Sequence, residues 1–216
     1  PQVYAAGDLF VLPAVARTGA APETAPAFES APIFDARAAA SSLDSEITWW
    51  MEWPNARRDH GTFCVSCHTV APYVMARPAL ARALGETLPS AQEQKLYANV
   101  ETRVRLGQEA APFYPDQTRG IPKTSESRGT ESVLNALILS TRDARTGALS
   151  ADTRQAFANM WTLQMKTGAL DGGWAWLNFH YEPWESDNSP FFGAALAGAA
   201  LGTAPGGYAQ SEDGQA

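Results

Sequence analysis

The sequence predicts an all-α protein, and two observations support this fold class. Apolar residues recur at helical spacing in several segments, whereas no segment sustains the two-residue alternation that is typical of a β-strand. The last apolar segment is rich in Ala and Gly, small residues that let neighbouring helices approach closely. The 216 residues suffice for one medium domain or two small ones. No apolar run approaches the roughly 20 residues of a membrane-spanning helix.

An extended arm is predicted over residues 1–40. Alanine and proline dominate its larger part, and prolines interrupt any helix there at four positions: Pro13, Pro22, Pro26 and Pro32. Short apolar islands at residues 9–12 and 33–34 are candidate contact points for a partner. A flexible tail without a partner is the alternative.

Residues 41–115 are predicted to form a first helical region, which includes the chain's two cysteines. Four helices are expected there: from Ser41 or Ser42 to the residue before Pro54, residues 64–74, residues 76–85 and residues 91–106. Residues 116–216 are predicted to form a second region of helical hairpins. A loop over residues 111–130 leads into it, and three helices are expected: residues 131–142, 150–168 and 191–201.

Both cysteines lie in one short motif, Cys64-Val65-Ser66-Cys67-His68. This Cys-x-x-Cys-His spacing predicts the covalent attachment of one haem c. Two thiols one helical turn apart can each add to one vinyl group of a haem, and His68 then presents its imidazole to the iron as the proximal ligand. Such attachment takes place outside the cytoplasm. We therefore expect a periplasmic or otherwise extracytoplasmic chain whose signal peptide has already been removed.

Three other uses of the cysteines have less support. A disulfide between Cys64 and Cys67 would be strained, and it would close too short a loop to stabilise the fold much. A thioredoxin-like pair needs a strand–helix–strand context, which the sequence lacks. A structural zinc ion would recruit His60, Cys64, Cys67 and His68, but the adjacent Cys67 and His68 would converge poorly on one ion.

Two resemblances extend this interpretation. Residues 64–68 resemble the haem motif of cytochrome c, and residues 130–216 resemble the helical-hairpin repeats of the α/α-toroid family of squalene–hopene cyclases and prenyltransferases. The residues that are similar to the Gln-then-Gly-x-Trp repeat are Met160-Trp161-Thr162-Leu163-Gln164 and Leu170-Asp171-Gly172-Gly173-Trp174. The whole chain resembles secreted bacterial proteins that join one haem motif to such repeats. The resemblance implies a partial, toroid-like set of hairpins.

Catalysis of the cyclase kind is not expected. Asp171 stands alone where cyclases carry an Asp-rich motif, and the Cys/His/Asp zinc set of the protein prenyltransferases is missing. No Ser/His/Asp set or apolar carboxylate pair is recognisable either, so no catalytic residue is predicted. An incomplete set of repeats leaves apolar faces, which should meet a partner or a further part of the chain.

The distal iron ligand, on the face of the haem opposite His68, has three candidates. Met51 is the first, because cytochrome subunits of photosynthetic reaction centres are similar in layout, with a methionine-bearing helix before the motif. His60 in the turn before the motif is the second, and His180 is the third if the hairpins fold over the haem. Core packing is the plain alternative for Met51, and a surface or propionate-binding role is the alternative for His60. Met/His ligation raises the reduction potential, whereas bis-His ligation lowers it.

These expectations describe a monohaem c-type cytochrome that relays single electrons. Its partners would be other redox proteins or subunits of a larger photosynthetic or respiratory complex, with membrane contact only through them. Nucleic acid is not an expected partner, because the net charge is −7 and the basic residues form no cluster. The alternative is a structural accessory subunit of a membrane-associated redox complex, in which the haem mainly stabilises the fold. A haem enzyme with an open distal site ranks third.

Overall fold

A computed structural model describes residues 34–215, and within them the fold is all-α, as the sequence predicts. Seven α-helices are present in this part: α1 (Ala36–Glu52), α2 (Val70–Leu84), α3 (Ala91–Leu106), α4 (Asp116–Arg119), α5 (Lys123–Ala144), α6 (Ala151–Thr162) and α7 (Ser189–Thr203). Within residues 34–215, the β-type pairs are isolated bridges and do not form strands. None of these helices combines the length and the apolar character that crossing a bilayer requires.

Most of the predicted arm, residues 1–33, lies outside the described residues. The end of that arm is helical rather than extended, since α1 begins at Ala36 and not at Ser41 or Ser42. The cause is Asp35, whose carboxylate accepts hydrogen bonds from the backbone N–H groups of Arg37 at 2.9 Å and Ala38 at 3.0 Å. An aspartate in this position satisfies two N–H donors that the first helical turn leaves without partners.

Helices α2, α5 and α6 also differ from their predicted bounds. α2 runs without a break through Pro78, where the sequence predicts two helical pieces. α5 begins at Lys123, inside the predicted loop, and its first turn is closed by the backbone N–H of Glu126, which donates to the Pro122 carbonyl at 3.1 Å. α6 ends at Thr162 rather than at Gly168, since Gln164 pairs across a β-bridge with Trp174.

Helices α3 and α6 begin where their capping residues predict. Ser90 accepts the backbone N–H of Glu93 at 3.1 Å, and the Glu93 carboxylate accepts the N–H of Ser90 at 2.8 Å, which is a complete capping box. Ser150 caps α6 in a similar manner, because its hydroxyl accepts the N–H of Thr153 at 3.2 Å. Both starts are therefore determined by residues within the first turn.

Helix α5 packs against α2, α3, α6 and α7, and α1 packs against α2. The apolar face of α5 is completely enclosed, with Leu134, Ile138 and Leu139 fully buried. One continuous apolar cluster extends from Ile47 in α1 to Ala200 in α7. The loop between α1 and α2, which contains the Cys-x-x-Cys-His motif, borders the same core.

Candidate functional site

The Cys-x-x-Cys-His motif forms a turn that precedes α2. The prediction that the motif itself opens the helix is wrong, because α2 begins only at Val70. The reason is Ser66, whose hydroxyl accepts hydrogen bonds from the backbone N–H groups of Thr69 at 3.0 Å and Val70 at 3.2 Å. Serine in this position competes with helical backbone bonding and satisfies the donors at the start of α2. The motif is therefore a capping turn, in which the Ser66 hydroxyl accepts two backbone N–H groups at the start of α2.

Both cysteines are free thiols packed into the protein interior. Cys64 is 4% exposed and Cys67 is 2% exposed, and both belong to the main apolar cluster. Burial raises the pKa of Cys64 to about 12. Burial, and then the negative charge of Glu185, raise the pKa of Cys67 far above its ordinary value. Both sulfurs are therefore protonated at neutral pH in this conformation.

His68 lies at the surface immediately after the buried thiols. Its Nδ1 is 3.2 Å from the hydroxyl oxygen of Thr69. The Trp50 ring contacts the imidazole edge-on, with ring centroids 5.5 Å apart and an interplanar angle of 89°. The indole N–H of Trp50 also donates to the backbone carbonyl of Cys64 at 2.7 Å. One buried side chain of α1 therefore touches both ends of the motif.

A compact turn over residues 178–187, called the 178–187 turn below, covers Cys67. The Cys67 thiol donates to Oε1 of Glu185 at 3.5 Å. Two backbone hydrogen bonds between Tyr181 and Glu185, 3.0 and 2.9 Å long, close this turn. The indole N–H of Trp176 donates to the carbonyl of Trp184 at 3.0 Å, and this hydrogen bond holds the turn in place. Sequence reasoning missed Glu185, because no local signal relates it to a cysteine 118 positions earlier.

The three distal candidates lie in different surroundings. Met51 is buried and His60 is exposed, and both line a cleft of about 470 Å³ whose wall does not include the motif residues. His60 has a left-handed backbone with φ of 53°, and its Nδ1 is 3.0 Å from the Asp59 carboxylate. The His180 side chain is 84% exposed in the 178–187 turn. The fold brings Met51 and His60 to one cleft but places His180 elsewhere.

The residues that resemble a repeat motif have a clear structural role. The side-chain amide of Gln164 donates to the carbonyl of Gly172 at 2.9 Å, and the indole N–H of Trp174 donates to the carbonyl of Met160 at 2.8 Å. The Met160 carbonyl lies in the last turn of α6, where it also accepts the backbone N–H of Leu163 at 3.1 Å, so Trp174 supplies a second donor to this helix end. These contacts anchor residues 164–174 against α6.

Among residues 34–215, no three His, Cys, Asp or Glu side chains gather in a way that would hold a metal ion. The zinc alternative built on His60, Cys64, Cys67 and His68 is therefore not assembled in this part of the chain. Comparison of the chain with protein-family models, with curated protein sequences and with solved structures gives no match.

The chemistry of Cys64, Cys67 and His68 fits a haem c. The two thiols are free and lie among apolar neighbours, and the adjacent imidazole is exposed. Access is closed in this conformation, because both sulfurs are enclosed and Glu185 lies against Cys67. A vinyl group can reach the Cys67 sulfur only when Glu185 does not lie against it.

Proposed function

We propose that the chain is an extracytoplasmic, monohaem c-type cytochrome that relays single electrons to other redox proteins or to subunits of a larger complex. The observation that supports this function best is the combination of two free thiols in one capping turn with an exposed imidazole on the next residue. A disulfide, a zinc site and a thioredoxin-like pair each lack a feature that they need, whereas haem attachment uses all three side chains.

The roles of the chain's own residues follow from this proposal. Cys64 and Cys67 would each add across one vinyl group, so that sulfur bonds to the carbon nearest the ring and the thiol proton passes to the terminal carbon. His68 would hold the iron from the proximal side, and Met51, His60 and His180 remain the candidates for the distal side. A bound haem supplies a one-electron couple, whose potential depends on that choice.

The experiment is export of the full chain to the periplasm of a bacterium that carries a c-type maturation system. We expect haem that stays on the chain through denaturing electrophoresis, in a ratio of one per chain. Cys64→Ala and Cys67→Ala should each lose a thioether, and the double variant should carry no covalent haem. Ser66→Ala is the matched control, because it changes the same turn and keeps both thiols and the imidazole. Wild-type chain without covalent haem would refute the proposal.

The distal ligand is tested with the same loaded protein. If Met51 ligates the iron, the oxidised protein shows a sulfur-to-iron charge-transfer band that Met51→Ala abolishes and that His60→Ala and His180→Ala keep. If a histidine ligates the iron, the band is missing from the wild type. In that case only the ligating histidine, when replaced, converts the spectrum to a high-spin form.

A second candidate function, a structural accessory subunit, has one specific observation in its favour. None of the 15 residues of α7 is charged, and its exposed side includes Phe191, which is 67% exposed, together with Ala195, Gly198 and Gly202. An apolar helix face of this kind is typical of a surface that a partner covers. If the loaded chain is a stable monomer by light scattering over a wide concentration range, this candidate function is wrong.

A further inference from the structure

We infer that Trp50 is the positioning residue of the site: it sets the orientation of the His68 imidazole and keeps that ring next to the Cys64 end of the motif. This inference rests on the proposed function, since it matters for electron transfer only if His68 ligates iron. A part of the inference, the fixed orientation of the ring, is a property of the chain without haem and is tested separately.

The first argument is the double contact of one buried side chain. Trp50 is 5% exposed, and its indole N–H donates to the Cys64 carbonyl at 2.7 Å, a short and fully buried hydrogen bond. The ring of the same residue meets the His68 imidazole at 5.5 Å and 89°, an edge-on arrangement that aromatic rings prefer. Cys64 and His68, the first and last residues of the motif, thus both contact the same rigid side chain, that of Trp50.

The second argument is that His68 otherwise has little to hold it. The residue is exposed, and its hydrogen bond within residues 34–215 is to Thr69, the next residue in the chain. An exposed side chain bonded to its own neighbour retains much of its rotamer freedom. Metal-binding histidines are commonly oriented by a group outside the ligand set. The hydroxyl of Thr69 lies within hydrogen-bond distance of the ring nitrogen of His68, and Trp50 adds an edge-on contact against the ring itself.

The third argument is that Trp50 is itself immobilised. Its ring lies 5.5 Å from that of Trp53 at an angle of 52°, and Trp53 stacks on Trp49 at 5.5 Å and 16°. Trp49 and Trp50 lie in the last turn of α1, and Trp53 is the residue that caps its C-terminal end. A ring held by the helix, by Trp53 and by the hydrogen bond to the Cys64 carbonyl can fix the orientation of an exposed imidazole that packs against it.

The first experiment uses isotope-labelled, unloaded protein in solution and measures nuclear Overhauser contacts between the aromatic protons of residue 50 and the His68 ring. We expect such contacts in wild type and in Trp50→Phe, which keeps a ring at this position and loses only the indole N–H. Trp50→Leu should lose them and show averaged His68 ring signals. Trp49→Leu, which removes an exposed tryptophan one position earlier, should keep them. Trp50→Met replaces Trp50→Leu if that variant does not fold.

The second experiment uses the loaded protein and records the electron paramagnetic resonance spectrum of ferric iron and the midpoint potential. Trp50→Leu should broaden or split the low-spin signals and displace the potential, while Trp50→Phe and Trp49→Leu should match wild type. If Trp50→Leu matches wild type in ring contacts, spectrum and potential, Trp50 is ordinary core packing and the inference is wrong. If no variant and no wild-type chain acquires haem, the proposed function fails, whereas the ring contacts still decide the positioning role.

Discussion

Replacement of Arg103 by methionine should destabilise the fold strongly, because this arginine is the buried counter-charge of Glu131. The Arg103 side chain is completely enclosed, and Glu131 is only 8% exposed. The guanidinium donates to the two Glu131 oxygens at 2.5 and 3.1 Å, and also to the Thr62 hydroxyl at 2.8 Å and the Ala111 carbonyl at 2.9 Å. It thus links α3 and α5 to the loop that leads into the motif.

The expected magnitude follows from what methionine leaves behind. Removal of one partner of a buried ion pair strands the other charge and costs about 3–5 kcal/mol of unfolding free energy. With a urea m-value of about 2 kcal/mol per M, the urea midpoint should fall by roughly 1.5–2.5 M. The measurement is urea unfolding at pH 7, followed by tryptophan fluorescence and by far-ultraviolet circular dichroism.

The double variant Arg103→Met with Glu131→Leu is the control that isolates the stranded charge. It should recover most of the lost stability, because no buried carboxylate then remains without a cation. The Thr62 hydroxyl keeps its hydrogen bond to the Asp59 carbonyl, and Ala111 is exposed to solvent. A loss below about 1 kcal/mol in the single variant would refute the reasoning. A double variant that is no more stable than the single one would refute it as well.

Three further predictions concern packing, pH and thiol access. Gly193→Ala should cost about 1–3 kcal/mol, since a Cβ at that position would lie 2.3 Å from the Trp176 ring. Gly198→Ala in the same helix meets open space and should stabilise by up to about 1 kcal/mol, and thermal unfolding compares the two. Burial alone would raise the pKa of Asp143, but hydrogen bonds from a backbone N–H, a hydroxyl and an arginine outweigh it and lower that pKa below 3.8. The stability that Asp143 contributes is therefore complete above about pH 4 and is lost as the pH falls through the lowered pKa, so Asp143→Asn should flatten the urea midpoint between pH 5 and pH 3. The high pKa of Cys64 should slow alkylation of the unloaded, folded chain at pH 8 about a thousand-fold relative to the chain in urea, and a thiol-reactive dye measures both rates.

Helix α3 is an element that signals in the local sequence predict correctly. Its capping box, its four-residue apolar spacing and the glycine that follows it all lie within or beside the segment, and the predicted bounds agree with the observed ones. The start of α5 shows where they stop. Residues 123–130 are polar and look like a loop, yet Ser127 and Thr130 are fully buried in a helix. Glu131 is tolerated there only because Arg103 reaches it from α3.

The candidate site likewise contains residues that the sequence predicts and residues that it does not predict. Cys64, Cys67 and His68 are recognisable from the sequence, because covalent spacing alone places two thiols and an imidazole within one turn. The neighbours of that turn are not recognisable, because Trp50 lies 14 positions before Cys64 and Glu185 lies 118 positions after Cys67, and no local signal relates either residue to the motif.

The sequence by itself determined that two thiols and an imidazole lie within five residues, and it predicted the all-α character that residues 34–215 display. Only the tertiary structure decided that both thiols are enclosed, that the imidazole faces solvent and that Trp50 touches both ends of the motif. The physical reason is that spacing along the chain is a local property, whereas burial and access depend on packing between segments that are distant in sequence.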